Sequence, residues 1–492
     1  MGRDIDAEEF DERDYALFRD RLNTSLQVLG LLLERPGFGV GPATIGAELE
    51  LVLVDGGGRP LAENKAIHAA VADPRVTFEL HKFNLELNAS PTLLAGQPFR
   101  TLGSELSLLL DRVARAAASY AGRPALIGIL PTLGREDLTS DMMTDAARYR
   151  ALSAGLRQIR RSPFHVRIAG ADELILASPD VGLEGANTSF QVHLRVNPAD
   201  FARVYNAVQL ATAPALAVSG NSPTFLGHRL WEETRIALYK QSVDDRPDDG
   251  PRRRPARTAL GTGWLRGGAR ELFAEAVRLH EPVLPVLGDH EPDGGTEPDP
   301  PRLDELRLHQ STVWRWNRAI YDPSAGGHLR IEMRALPAGP TIIDMLANAA
   351  FVIGLSLWLA DQDQSWTYAL PFERADDGFH RAAQYGLAAE LTWPVGRDRT
   401  RTLPAGRLVA ELVPAARQGL VAAGVDPVEA DSLLEVISDR AASGQTGAVW
   451  QRAVLAILER AVDRRGALTE MLGRYLLHAD TGQPVHTWPV GG

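Results

Sequence analysis

Four short segments place carboxylates, an imidazole and guanidinium groups at every second position. In AELEL (47–51), Glu48 and Glu50 share one strand face while Ala47, Leu49 and Leu51 take the other. FQVHLRV (190–196) sets Gln191, His193 and Arg195 against Phe190, Val192, Leu194 and Val196. HLRIEMR (328–334) sets His328, Arg330, Glu332 and Arg334 against Leu329, Ile331 and Met333. FELHKFNLELN (78–88) adds Glu79 and Glu86. Their odd spacing sends them to opposite faces of a straight strand, so a turn near Lys82 to Asn84 must bring them together. One such segment alone reads as the wet face of an amphipathic strand. Four of them, lining one concavity, would crowd carboxylates within several ångströms. Like charges at that range rise in pKa or require a cation. Hard divalent ions held by carboxylate oxygens meet that need, and Mg²⁺ characteristically shares its shell with water and substrate phosphates. The arginines suit phosphate or carboxylate through their planar fork of donors.

Other chemistries are excluded. The chain has no cysteine, which removes disulfides, thiolate catalysis and zinc–thiolate sites. It contains no G-x-x-x-x-G-K-[ST], no G-x-S-x-G and no H-E-x-x-H. Gly261, Gly263 and Gly267 miss the dinucleotide spacing by one. A nucleotide would have to be held by metals and a sheet surface.

The positioning elements follow from periodicity. Helices are predicted over 13–34, 98–120 and 141–161, then from Asp200, as N-cap, to about Ser219, and through Arg235. TIGAELELVLVDGGGRPL reads as a strand into a Gly-rich turn and hairpin, VTFELHKFNLELNASP as two short strands or a bent one, and ALIGILP, FHVRIAG, DELILAS and TSFQVHLRVN as strands. LRLHQSTVWRWNR and GGHLRIEMRAL also read as strands. NSPTFLG reads as a loop, either a helix stop or a rim of the site. Residues 244–258 and 287–302 read as mobile, charged, Pro- and Gly-rich loops, with Arg252 to Arg254 balancing neighbouring aspartates. From about 341 the pattern is mostly helical, with helices over 405–424, 427–442 and 446–475. Strands outnumber βαβ units, so the fold class is α+β with a largely antiparallel sheet. The expected organisation is a helical lead-in (1–40), a catalytic domain (41–365) and a helical C-terminal region (366–492).

With these residues in hand, the chain resembles the glutamate-cysteine ligase and carboxylate-amine ligase family, which has the glutamine synthetase catalytic fold. The resemblance rests on G46-A-E48-L-E50, Glu79 and Glu86, TSFQVHLRV, PALAVSGNSPTFLG, Arg235 in the following helix, and LRIEMRALPAGPT, in that order over about residues 44–360. It implies a funnel-like antiparallel sheet that takes ATP, amino acid substrates and Mg²⁺, with Mn²⁺ a possible replacement. It implies Glu48, Glu50, Glu79, Glu86, His193 and Glu332 as metal ligands. Arg235, Arg334 and Glu332 become catalytic, and Gln191 and Arg330 become nucleotide or phosphate contacts. The implied reaction joins the γ-carboxylate of glutamate to an amine, cysteine first among them, through an acyl phosphate. The alternatives are a ligase using a different acid or amine, and a non-catalytic relative that binds nucleotide and metal.

Bulk properties agree with small-molecule chemistry. The 492 residues could make roughly three average domains. A formal charge of −11 argues against nucleic acid or an anionic membrane as partner. The N-terminus, MGRDIDAEEF, lacks the basic and apolar regions of a signal peptide, and Asp6 stands where a myristoylation motif wants Ser or Thr. The longest apolar run, Met345 to Ala360, reads as a buried helix. A cytoplasmic location is expected. Trp314 and Trp316 read as core or rim packing, or as an adenine platform.

Overall fold

The computed structural model describes residues 9–248, 254–291 and 299–491. Its strands, in chain order, are β1 (Thr44–Asp55), β2 (Val76–Phe78), β3 (Asn84–Leu93), β4 (Gly122–Ala125), β5 (Phe164–Ala169), β6 (Glu173–Ser178), β7 (Phe190–Val196), β8 (Thr224–Phe225), β9 (His228–Arg229), β10 (Asn317–Asp322), β11 (His328–Met333), β12 (Glu390–Pro394) and β13 (Thr400–Pro404). Seven of them form an antiparallel sheet in the order β10-β11-β7-β1-β3-β2, with β4 pairing the far end of β1. The α+β reading and the antiparallel sheet are therefore observed.

Alternation fixes which face is which. Leu49, Leu87, Phe190, Val192, Leu194, Leu329 and Ile331 are fully buried on the apolar face. That face belongs to a core shared with the helices Phe201–Ser219 and Ile342–Asp361. The latter is long and apolar enough to cross a membrane by length and composition, yet 78% of its apolar window is buried inside the protein. The helix Ala405–Ala422 packs along it, and the helix Pro427–Ser443 contributes Arg440, whose Nη2 lies 2.7 Å from Asp344 Oδ1 with both side chains buried. Gly339, in the LPAGPT turn after β11, has φ +76, and a Cβ there would sit 2.1 Å from the Leu126 carbonyl oxygen. Only glycine fits that approach.

Several local expectations differ. The stretch read as one strand over LRLHQSTVWRWNR is a helix, Asp304–Ser311, followed by β10. Acidic residues in its first turn favour the helix, and Leu306, Leu308, His309 and Gln310 are its buried side chains. Of ALIGILP only Ala125 is in a strand; the rest runs as buried irregular backbone, with Gly128 pressed against Ser222. The helix expected from 141 begins at Ala147. Asp200 accepts no cap bond and pairs with Arg203 at 2.8 Å instead. The tight hairpin β8–β9 lies where a loop was expected, and β12–β13 interrupts the helical last third. The helix expected over 446–475 is two, Gly447–Leu458 and Arg464–Ala479.

The charged stretch 244–258 is anchored at both ends. Asp245 and Arg257 are fully buried and paired, and Arg254 Nη1 reaches Asp245 Oδ1 at 2.7 Å. Two complementary charges can be desolvated together where one alone could not. Arg252, Arg253, Asp249, the inner part of 287–302 and the first eight residues lie outside the described residues.

Candidate active site

The polar face of the sheet opens into a cavity of about 520 Å³. Register brings the carboxylates there. Glu50 pairs across β1–β3 with Glu86, and Thr77 of β2 pairs with Glu86 from the other side. The chain turns between β2 and β3, so Glu79, just past β2, returns toward Glu86. Single oxygens of Glu50, Glu79 and Glu86 come within 4.8 Å of one another. On the other side of β1, Gly46 pairs with His193 of β7, and His193 pairs with Glu332 of β11. Ligand atoms of Glu48, His193 and Glu332 also converge within 4.8 Å. Segments up to 284 residues apart in sequence thus build two three-residue clusters side by side.

The clusters are linked by a polar chain. Arg334 Nη1 donates to Glu332 Oε2 at 3.0 Å and to the Gln191 side-chain oxygen. Gln191 Nε2 donates to Glu50 Oε1 at 2.9 Å. The Ser189 backbone N–H donates to Glu50 Oε2 at 2.6 Å. Arg318 grips Glu332 with two bonds, Nε to Oε2 at 2.7 Å and Nη2 to Oε1 at 3.0 Å. Arg235 is buried, with Nε on Glu233 Oε1 at 2.8 Å and Nη2 on the Ala335 carbonyl at 2.7 Å. Glu233 also accepts from the Ser222 hydroxyl at 2.6 Å and the Asn221 N–H at 2.9 Å. The NSP stretch is therefore a buried brace behind Arg235, neither a rim nor a simple helix stop.

Burial opposes ionisation in both clusters, but partner charges overcome it in one and not in the other. It would raise Glu332, but Arg318, Arg334 and His193 outweigh it and hold that carboxyl well below the usual range. Burial likewise opposes ionisation of Glu48, yet His193 draws it down to about 2. In the other cluster burial prevails. Burial together with Glu48 and Glu50 pushes Glu86 up to about 7, and burial with Glu86 and Glu50 pushes Glu79 well above 4.5. Burial also raises Glu50, with Arg334 moderating it. Desolvated carboxylates facing one another favour a divalent cation among them. His193 fits the same purpose in its own cluster. Its Nε2 is 3.2 Å from Glu48 Oε1 but out of hydrogen-bond alignment, and both ring nitrogens are buried without a hydrogen-bond partner. The donor set, five carboxylates and one imidazole, fits hard divalent ions of the Mg²⁺ or Mn²⁺ type.

All six expected metal-ligating residues thus lie in these two clusters, with Arg235, Arg334 and Gln191 beside them. Arg330 does not join them. It pairs with Asp322 at 2.5 Å and lines a neighbouring cavity of about 290 Å³, reached past Arg318 and Glu332. Trp314 and Trp316 line the main cavity, as do Tyr149 and Arg148. Reading the sequence missed Glu184, Tyr239 and Glu233. Glu184 lies in a 3₁₀ turn with no periodicity to mark it. Burial and the nearby Glu50 raise it to about 7. Arg318 had a readable signal, because it alternates with Ile320 and Asp322 on the strand that pairs with β11.

Comparison with known proteins completes the picture. No curated protein matches the chain significantly. Among solved structures, it superposes on a glutamate–cysteine ligase from Francisella tularensis, determined in complex with AMP, with TM-score 0.55 and 12% identity, covering 92% of this chain and 91% of that one. It also superposes on a bifunctional glutathione synthetase from Pasteurella multocida, with TM-score 0.51 and 12% identity, covering 95% of this chain and 55% of that one. The chain thus spans about half the length of that second protein. At such identities the likeness is one of fold, a curled antiparallel sheet with flanking helices. A profile of glutamate-cysteine ligase family 2 (GCS2) matches residues 44–475. Its span takes in the paired clusters, Arg235, Arg334 and the helices behind them, and the chain belongs to that family.

Proposed function

We propose that the protein is an ATP- and divalent-metal-dependent ligase that joins the γ-carboxylate of glutamate to an amine. The observation carrying this reading is the pair of clusters on one sheet, bridged by Glu332–Arg334–Gln191–Glu50. A carboxylate is a poor acyl donor, so its activation as an acyl phosphate explains the need for ATP. Glu48, His193 and Glu332 would hold one cation and Glu50, Glu79 and Glu86 the other. Bound there, Mg²⁺ would neutralise phosphate charge and bring two anions into reach. Arg334, at the junction of the clusters, is placed to stabilise charge on the transferring phosphoryl group. Arg235, locked by Glu233 and the Ala335 carbonyl, presents a fixed positive charge to substrate carboxylate or phosphate. No protein nucleophile is required. The acceptor amine attacks the acyl carbon, the bond to phosphate breaks, and an amide and inorganic phosphate result. Cysteine, the acceptor named in the family's title reaction, is the first to test.

The decisive assay measures phosphate release from ATP with Mg²⁺ and glutamate, with and without each of a panel of amines. Amine-dependent release that disappears with EDTA is the expected outcome. ATP binding with no turnover under any combination would overturn the ligase reading.

A further inference from the structure

The two clusters leave one cavity carboxylate unassigned. Glu184 belongs to neither, yet it lines the same cavity as Tyr239, whose helix Arg235–Ser242 packs on the turn that carries Glu184. Arg334, Gln191 and Glu50, the junction where the phosphoryl group would move, line that cavity with it. Its place is built. Gly185, next to it, lies so close to the buried His81 ring that a Cβ would come within 1.8 Å of Nδ1. Only a residue without a side chain lets the turn carrying Glu184 enter there.

The wall next to Glu184 is aromatic. The Tyr239 ring lies 6.3 Å from Trp314, nearly edge-on, and 5.8 Å from Trp316. Leu284 lines the cavity with them. The cations on the β7–β11 side are already paired, Arg318 and Arg334 with Glu332 and Arg235 with Glu233. A half-buried carboxyl beside aromatic faces matches an ammonium group on an apolar body, since aromatic faces also attract cations.

We propose that Glu184 and the Tyr239 hydroxyl hold the ammonium of the acceptor amine, and that Trp314, Trp316 and Leu284 select acceptors with an apolar or aromatic substituent larger than that of cysteine. This rests on the ligase reading and names its acceptor class. A cationic guest would also favour the ionised form of the Glu184 carboxyl, against the burial and the Glu50 charge that raise it.

The test compares phenethylamine and isobutylamine with cysteine, glycine and aspartate as acceptors, and pairs this with calorimetric titration of phenethylamine into the full-length protein. Apolar amines should give kcat/KM at least tenfold above glycine and aspartate, and above cysteine. Glu184→Gln should raise the KM for phenethylamine at least tenfold. It should lower amine-dependent turnover at least tenfold more than it lowers glutamate-dependent positional isotope exchange in ATP, which reports acyl phosphate formation alone. Trp314→Ala should lose the preference for apolar amines. The proposal is overturned if small or anionic amines are preferred, if phenethylamine does not bind, or if Glu184→Gln lowers both half-reactions equally. Phenethylamine binding that weakens in Glu184→Gln, with no phosphate release under any condition, would uphold the amine pocket and sink the ligase reading instead.

Discussion

At the scale of single residues, Arg334 is where the site's electrostatics meet. It touches Glu332 of one cluster and, through Gln191, Glu50 of the other. Burial alone would lower the pKa of its guanidinium, but Glu332, Tyr239 and Glu50 raise it beyond its usual value, so it is a permanent cation. Replacing it should remove transition-state stabilisation and also leave Glu332 with only Arg318 and His193 as partners. Arg334→Ala is expected to lower glutamate-dependent ATP turnover roughly a hundredfold or more, about 3 kcal/mol, with the fold intact by circular dichroism. Turnover within a few-fold of wild type would remove Arg334 from the mechanism. Residue types alone made Glu48, Glu50, Glu332 and Arg334 legible, because alternation is a local property of the backbone. Glu184 and Glu233 were not legible. Each sits in a turn or at the foot of a short helix, where no period announces which way a side chain points.

At the scale of elements, the site depends on register. A one-residue slip of β11 against β7 would turn Glu332 and Arg334 into the core and Ile331 and Met333 toward the cavity. The helices behind the sheet hold that register, and one buried ion pair ties them together. Arg440 Nη2 meets Asp344 Oδ1 at 2.7 Å, while its Nη1 reaches Asn348 Oδ1 at 2.6 Å and the Val218 carbonyl at 3.1 Å. Asp344 also accepts from the Val485 N–H and the Thr341 hydroxyl. Arg440→Met would strand a buried aspartate and is expected to cost about 3–5 kcal/mol, read from the urea midpoint. The double variant Asp344→Leu with Arg440→Met should recover part of that loss, because no lone charge remains. A single variant as stable as wild type would show that the pair does not brace these helices. None of this was readable from the sequence, since Asp344 and Arg440 are 96 residues apart and neither sits in a charged pattern.

The whole molecule sets the response to pH. His309 is buried in the helix Asp304–Ser311, with Nε2 3.0 Å from the Ala276 carbonyl. Burial lowers its pKa from 6.5 to about 4. The unfolded chain therefore binds the proton first. Between pH 6.5 and 4 the unfolded state holds more protons, so the contribution of this residue to stability is complete above about 6.5 and is lost as pH falls. Over the full window the loss is on the order of 3 kcal/mol. His309→Gln keeps a donor for the carbonyl without a titrating group. It should flatten the fall in urea midpoint between pH 7.5 and pH 5. An unchanged pH profile in that variant would assign the acid sensitivity elsewhere.

The sequence by itself determined the alternation that gives each strand one charged and one apolar face, and with it an α+β class and the six acidic and imidazole groups of the two clusters. Those properties depend on neighbours one or two residues away, so they survive without knowledge of the fold. Only the tertiary structure decided that the six groups divide into two clusters of three, that Arg330 faces a separate cavity while Arg318 takes Glu332, and that a helix replaces the expected strand before β10. It also supplied Glu184, Glu233 and the Asp245–Arg257 pair. Each of these follows from which strands become neighbours and which charges find a partner on losing water, and such pairings join residues that sequence proximity does not connect.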